Sequence, residues 1–394
     1  MYISIYAFQR LDMLNLMPDS MYPILYYPVI GFVFLVFAFM MVIDLAGILK
    51  HKTKSRSYSK TYLSKNPTSA YMPKTLVIIP CKGIDFSLEG NLKSVKNQKY
   101  KNFDSIAVVD SESDPAIRYI KKSGLRYIIA DSKCEACSGK VKAISTALEK
   151  FRDYDVYVIA DSDVEMPKGW LEDLVSPLQD NSVGISTSYP YFMHFGGFWS
   201  KIKSVWGLVG EGLMENESTR FGWGGSIAFR KDLLGSAESV SAFKNSKYSI
   251  SDDITLTKIS ESKGLEIAYV KKSQPIVKTK DDFKTFMEWA NRQTALSITG
   301  NRKNLYTGII FYLSESILIL SGISFAILIS PIFLLLLIHY ARSLITTWKR
   351  SRQKGGYIII AALVVPFIYL YNLLHANGMK RIIWRGSVYS LPKV

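Results

Sequence analysis

Residues 156–163 read Val-Tyr-Val-Ile-Ala-Asp-Ser-Asp, and this stretch decides the fold. Five mostly apolar, β-rich residues in a row mark a strand buried on both faces. The run ends on Asp161 and Asp163, separated only by Ser162. Two carboxylates at the end of a buried strand are costly unless a counter-charge balances them. A hard divalent cation, Mg2+ or Mn2+, balances them and also grips a diphosphate. The carboxyl ends of strands in an open α/β sheet are where such ligands bind. Alone, the triplet is a weak signal and also reads as a loop in which Asp161 caps a helix starting near Pro167, so the surrounding chain has to choose.

Upstream, short strands alternate with helices. Thr75-Leu-Val-Ile-Ile-Pro80 is a second buried-type strand, and the segment after it carries Phe86, Leu88, Leu92 and Val95 on an apolar face. Ser105-Ile-Ala-Val-Val109 runs into Asp110. A helix over 114–122, a strand over 126–130 and a helix over 139–150 lead back to the Asp-Ser-Asp strand. Such alternation with short links predicts a mostly parallel sheet with helices on both faces. Asp110 and the Asp161/Asp163 pair each follow a strand, which places them on one rim.

Downstream, Phe195, Phe198, Trp199, Ile202, Val205, Trp206, Val209 and Leu213 fall at helical spacing with Lys201 and Lys203 among them. This amphipathic helix suits either a membrane interface or packing on the sheet. Gly222-Trp-Gly-Gly-Ser-Ile-Ala-Phe-Arg230 is a glycine-rich turn into a strand. Ser251-Asp252-Asp253 opens a helix, where the acids serve as first-turn caps or as a general base. Residues 281–297 form a further helix carrying Trp289, Arg292 and Gln293.

The ends of the chain differ from its middle. Hydrophobic residues make up 48% of the sequence, but long apolar runs concentrate at 23–49, 307–328, 330–347 and 357–376. Each approaches the length of a bilayer-spanning helix. The first lacks a cleavage-type site and reads as an anchor. Glu315 and His339 lie inside the later runs, and intramembrane ionisable groups are functional candidates. The basic stretches His51–Lys60 and Lys349–Lys354 favour the cytoplasmic side. The tail Lys380–Lys393 is also basic, which favours a re-entrant path for 357–376, bent at Pro366. The net charge of +16 therefore points to anionic lipid and an anionic substrate, not to nucleic acid. The 3 cysteines imply no paired framework. Cys134-x-x-Cys137 lacks a second pair or nearby His for zinc, so the cysteines read as incidental.

The motifs together resemble a membrane-bound, processive-type family 2 glycosyltransferase, most closely the ceramide glucosyltransferase group. The resemblance runs from about residue 73 to the C-terminus. It rests on Pro80-Cys-Lys-Gly-Ile-Asp85 with Leu88, Asn91, Leu92 and Ser94, and on Asp110-Ser-Glu-Ser-Asp-Pro-Ala116. It continues through Lys140, Asp161, Arg230-Lys-Asp-Leu233, Asp253 and Trp384-Arg-Gly-Ser-Val-Tyr389. It implies a GT-A (Rossmann-like) α/β nucleotide-sugar domain plus transmembrane α-helices. By the same resemblance, Pro80, Lys82, Gly83, Asp110, Lys140, Asp161 and Arg292 bind a nucleotide-sugar donor of the UDP-sugar type. Asp161 and Asp163 hold Mg2+ or Mn2+, and Asp253 is the base of an inverting transfer to a lipid hydroxyl. One departure stands out. The group's Gln/Arg-x-x-Arg-Trp motif is replaced by Thr285 and Glu288 before Trp289, leaving Arg292-Gln293 a turn later as the candidate cation.

The expected organisation is an N-terminal region with anchor (1–50), a basic cytoplasmic linker (51–72), a GT-A domain with interfacial helices (73–300), and a C-terminal transmembrane region with basic tail (301–394). The whole reads as a multi-pass membrane protein with a cytoplasmic catalytic domain, partnered by a lipid acceptor and a nucleotide sugar. Competing functions are a polysaccharide synthase, a polyprenyl-phosphate sugar synthase and a nucleotide-binding membrane scaffold.

Overall fold

A computed structural model describes residues 22–63 and 71–392. The N-terminal stretch 1–21, the part of the expected linker at 64–70 and the last two tail residues lie outside the described residues. The chain divides into two compact units, one from 22–63 with 301–377 and one from 71–300 with 378–392. Each is described by itself.

The second unit is built on strands β1 (Thr75–Cys81), β2 (Phe103–Val109), β3 (Arg126–Ile129), β4 (Val156–Ala160), β5 (Val164–Glu165), β6 (Val183–Thr187), β7 (Tyr191–His194), β8 (Ser226–Arg230), β9 (Glu266–Tyr269) and β10 (Ile276–Thr279). A seven-stranded sheet has the order β3-β2-β1-β4-β8-β6-β9. Strands β1 to β4 are mutually parallel, and β8 runs antiparallel to both β4 and β6. Alternation along β1 sorts its residues onto two cores. Val77, Ile79 and Cys81 pack with Leu88, Leu92, Ile120, Trp170 and Leu171 on one face. Leu76 and Ile78 pack with Val141, Ile144, Val240, Phe243 and Leu256 on the other. Burial on both faces explains why these strands read as unbroken apolar runs. A small second sheet, β5-β10-β7, lies beyond the end of β4. The architecture is α/β with a mixed, mostly parallel sheet, as the resemblance implied.

Several expectations sharpen. The helix expected over 139–150 is Gly139–Lys150, with the Ser138 hydroxyl capping the Val141 amide at 3.2 Å. Asp161 does not cap a helix near Pro167; the next helix is Trp170–Val175. The amphipathic helix is Phe198–Glu215, and Ile202, Val205, Trp206 and Leu208 are buried within the unit while Phe198 stays exposed. Cys134 and Cys137 are joined as a disulfide, which corrects their reading as incidental: the loop before Ser138 turns back and brings the pair together. The tail forms a hairpin, β11 (Arg381–Trp384) against β12 (Ser387–Ser390), and belongs to this unit.

The first unit is helical. One helix, Tyr22–Leu63, carries both the first apolar run and the basic stretch after it. Lys303–Leu328, Ile338–Arg350 and Tyr357–Gly378 follow, with a 3-10 turn at Pro331–Leu337. Among the described residues, four helical stretches are long and apolar enough to cross a membrane. Tyr357–Gly378 is continuous through Pro366, so the chain does not turn back at that proline as the sequence reading favoured.

Candidate active site

The parallel strands β1, β2 and β4 end side by side, and their carboxyl ends form the rim that was expected. Lys82, just past β1, pairs with Asp110, just past β2, at 2.9 Å. Pro80 sits half-buried within β1. The Gly83 amide donates to Asp114 Oδ1 at 3.1 Å. Past β4, Ser162 donates its hydroxyl to Asp85 Oδ2 at 3.0 Å. The side chain between the two metal-candidate aspartates thus ties their loop to the loop after β1.

Lys140 occupies the first turn of helix Gly139–Lys150, where the helix dipole disfavours a cation. Its ammonium is buried between Asp161 Oδ1 at 2.8 Å and Asp252 Oδ2 at 3.1 Å. Burial alone would depress it; Asp161 and Asp252 outweigh burial and hold it protonated above its usual range. Gly224 makes this pair possible. A Cβ there would come within 2.5 Å of Asp252 Oδ2 and 2.8 Å of Lys140 Nζ. The glycine-rich turn before β8 is therefore a close-packing device under the buried ion pairs.

Asp163 is half-buried, and desolvation first, then the charges of Asp161 and Asp85, push its carboxyl up to about 6. Burial also raises Asp252, to about 7, against the opposing pull of Lys140. Carboxylates this crowded need a cation. The pair Asp161 and Asp163 suits a hard divalent ion, which takes one or two protein carboxylates and completes its shell with phosphates and water. The donor set is all oxygen, and the local charge is in deficit of positive groups, so the residues present fit such an ion.

The neighbouring acids Asp252 and Asp253 separate sharply. Asp252 faces Lys140 and Asp161, whereas the Asp253 carboxylate is half-buried and turns onto its own helix. It accepts from the Ile254 amide at 2.7 Å and from the Ser251 hydroxyl. Arg292, on helix Phe283–Gly300, lies with its guanidinium 5.8 Å from the Trp384 ring. Burial lowers its guanidinium, with Asp163 pulling the other way. Trp289 packs against Phe192 and Trp206 and under the Lys203 ammonium.

The tail hairpin completes the rim. Arg385 donates through Nη2 to Asp85 Oδ1 and Oδ2 at 2.8 and 2.9 Å, and through Nη1 to the Lys82 carbonyl. The Tyr389 hydroxyl accepts from the Gly139 amide at 3.2 Å. Asp85 and Asp114 had no assigned role in the sequence, and Asp252 was only the neighbour of the expected base. Asp85 and Asp114 do stand inside the two quoted motifs, and that position was the available signal.

These features agree with what comparison finds. Residues 35–393 match glycosyl transferase family 21, and the chain belongs to that family. It is thus a glycosyltransferase, with a mixed α/β domain and apolar helices of membrane-spanning length. Among solved structures it is similar to a mannosyltransferase from Pyrobaculum calidifontis in complex with GDP-Man and Mn2+, at 16% identity and TM-score 0.47, covering 86% of this chain and 99% of that one. It is also similar to glucosyl-3-phosphoglycerate synthase from Mycobacterium tuberculosis in complex with Mn2+, UDP and glucosyl-3-phosphoglycerate, at 15% identity and TM-score 0.40, covering 58% and 80%.

Proposed function

We propose that the protein transfers a hexose from a UDP-sugar-type donor to the hydroxyl of a membrane lipid, a ceramide-like or other glycolipid acceptor, with inversion at the anomeric carbon. The observation that carries this is the Asp161–Ser162–Asp163 loop at the end of β4, where two half-buried carboxylates crowd together with the buried Asp252 nearby, in a family 21 chain with four helices of spanning length. Asp161 and Asp163 hold the divalent cation, which when bound neutralises charge gathering on the departing nucleoside diphosphate. Main chain from Pro80 to Gly83 and the Asp110 carboxylate contact the nucleoside. Lys140 fixes Asp161 in place and adds positive charge, and Arg292, within the field of Asp163, supplies a further cation to the donor. Asp253 takes the proton from the acceptor hydroxyl as it attacks. A specific observation favours a second assignment of that step: Asp252, not Asp253, faces Lys140 and Asp161. A single base with direct displacement gives inversion in either case.

Purified protein incubated with a panel of nucleotide sugars and total membrane lipid is expected to yield one new glycolipid by mass spectrometry. Absence of any lipid product, with polymer or polyprenyl-phosphate sugar instead, would favour the competing syntheses.

We place the catalytic unit on the cytoplasmic face, supported by the basic residues after the first apolar run. The tail hairpin pairs with Asp85 in that same unit, which supports an even number of crossings between residues 303 and 378. In this reading two of the three apolar stretches there cross and one stays on one side. Reporters fused after residues 60 and 392 should both score cytoplasmic, and one after residue 354 identifies the stretch that stays on one side.

A further inference from the structure

The hairpin turn of the tail carries an arginine where its backbone disfavours one. Trp384 pairs with Ser387, so the connection is the two residues Arg385 and Gly386. Both have positive φ, 47° and 77°, as a tight hairpin turn of this kind requires. Glycine meets this demand freely. A side chain as large as arginine is held there at a cost of order 1–3 kcal/mol and persists where its surroundings over-determine it. Residues so held cluster at ligand clamps and switch segments.

What holds Arg385 is the donor end of the sheet. Its guanidinium takes both oxygens of Asp85 and the Lys82 carbonyl. Asp85 in turn accepts from Ser162, between Asp161 and Asp163. One carboxylate therefore separates the guanidinium from the Asp-x-Asp loop, and the charges of Asp163 and Asp161 act on it directly. A second tail contact lies on the other side of the same rim, where Tyr389 meets Gly139 beside the Asp110 carboxylate. A forked cation at this place matches a diphosphate better than a lone carboxylate, because guanidinium pairs bidentately with phosphate oxygens.

We propose that the C-terminal hairpin is part of the donor site: Arg385 leaves Asp85 to clamp the diphosphate of the nucleotide sugar, while Tyr389 closes the nucleoside end. This rests on the reading that the donor binds at Asp161 and Asp163.

The test measures binding of UDP with Mn2+, and of uridine alone, to the full-length protein in detergent, with GDP and guanosine as parallel probes. Arg385→Ala is expected to weaken the nucleoside diphosphate about 10- to 100-fold, the value of a charge-assisted bidentate pair, and to leave the nucleoside within about 2-fold. Arg385→Lys should fall between. Asp85→Asn should bind the diphosphate at least as tightly as the wild type, since Arg385 no longer has a carboxylate to leave. Equal loss of nucleoside and diphosphate in Arg385→Ala would mean a merely structural hairpin and would overturn the proposal, as would unchanged diphosphate affinity. Asp161→Asn separates the two levels. If it binds diphosphate like the wild type, the underlying donor-site reading fails. If it loses binding while Arg385→Ala keeps it, only the hairpin's role fails.

Discussion

The molecule buries ionisable groups in two places, and the two are built on opposite principles. In the helical unit, Asp44 from the first helix accepts from His339 Nδ1 at 2.8 Å and pairs with Arg342. Glu315 stands 3.9 Å from the other nitrogen of that histidine. Both carboxylate oxygens of Asp44 are thus taken by partners in the chain, and the cluster joins three helices. In the catalytic unit, Asp85, Asp161, Asp163 and Asp252 crowd together against Lys140 and Arg385. Acids exceed cations there, and Asp161 remains partly open. A closed cluster has its partners in the chain and serves packing. An acid excess at strand ends waits for positive charge from outside. Burial is common to both, so burial alone does not mark a binding site; what differs is the balance of charge.

The sharpest way to break this comparison is to remove the excess. Asp161→Asn should reduce glycosyl transfer to background, with the far-ultraviolet circular dichroism unchanged, and EDTA should do the same to the wild type. Full activity in EDTA would show that the acid excess serves something other than a metal-held diphosphate. Next in size is the base. Removing a general base costs roughly 10²- to 10⁴-fold in rate. Asp253→Asn should lose turnover by that factor while the donor still binds. If Asp252→Asn shows the loss and Asp253→Asn does not, the buried acid facing Lys140 is the base.

The closed cluster predicts the reverse behaviour. Asp44→Asn strands Arg342 and His339 against a neutral side chain, and breaking a buried pair typically costs about 3–5 kcal/mol. Thermal stability in detergent should fall markedly, while molecules that remain folded should keep their affinity for the donor. A donor affinity that falls tenfold or more in Asp44→Asn, with stability unchanged, would mean that this cluster too takes part in binding.

How much of this was legible in the sequence follows from chain distance. The strand Val156–Ala160 and the helix Gly139–Lys150 were readable because each announces itself locally, by an apolar run or by a serine cap before an amphipathic stretch. Asp110 and Asp161 could be put on one rim because parallel strands end on the same side. The direction of Ser226–Arg230 was not readable. Its residues suit a strand, but nothing in them says that it enters antiparallel between β4 and β6. Nor could the sequence orient Asp252 against Asp253, since neighbours on a helix differ by about 100°. Arg385 was quoted within a motif, but its partner Asp85 lies 300 residues away, and only the fold joins them.

The smallest effect is the pH dependence of donor binding, and its sign tests the imbalance directly. Burial, Asp161 and Asp85 hold the Asp163 carboxyl up to about 6, while Arg385 and Lys140 pull it down. An aspartate is unperturbed near 3.9, so the free folded protein binds a proton here that the unfolded chain releases. Its stability without ligand should therefore decline as pH rises from about 4 through about 6. Donor and metal need the ionised form, so their affinity should run the other way. It should be flat above pH 7 and fall toward tenfold per pH unit below about 6, read by titration of UDP with Mn2+. Two substitutions move the bend in opposite directions. Arg385→Ala removes a cation that favours ionisation and shifts the bend upward; Asp85→Asn removes a carboxylate that opposes it and shifts the bend downward. A bend that ignores both changes would show that Asp163 does not titrate with this cluster, and the excess of acid would then have to reside on Asp161 and Asp252 alone.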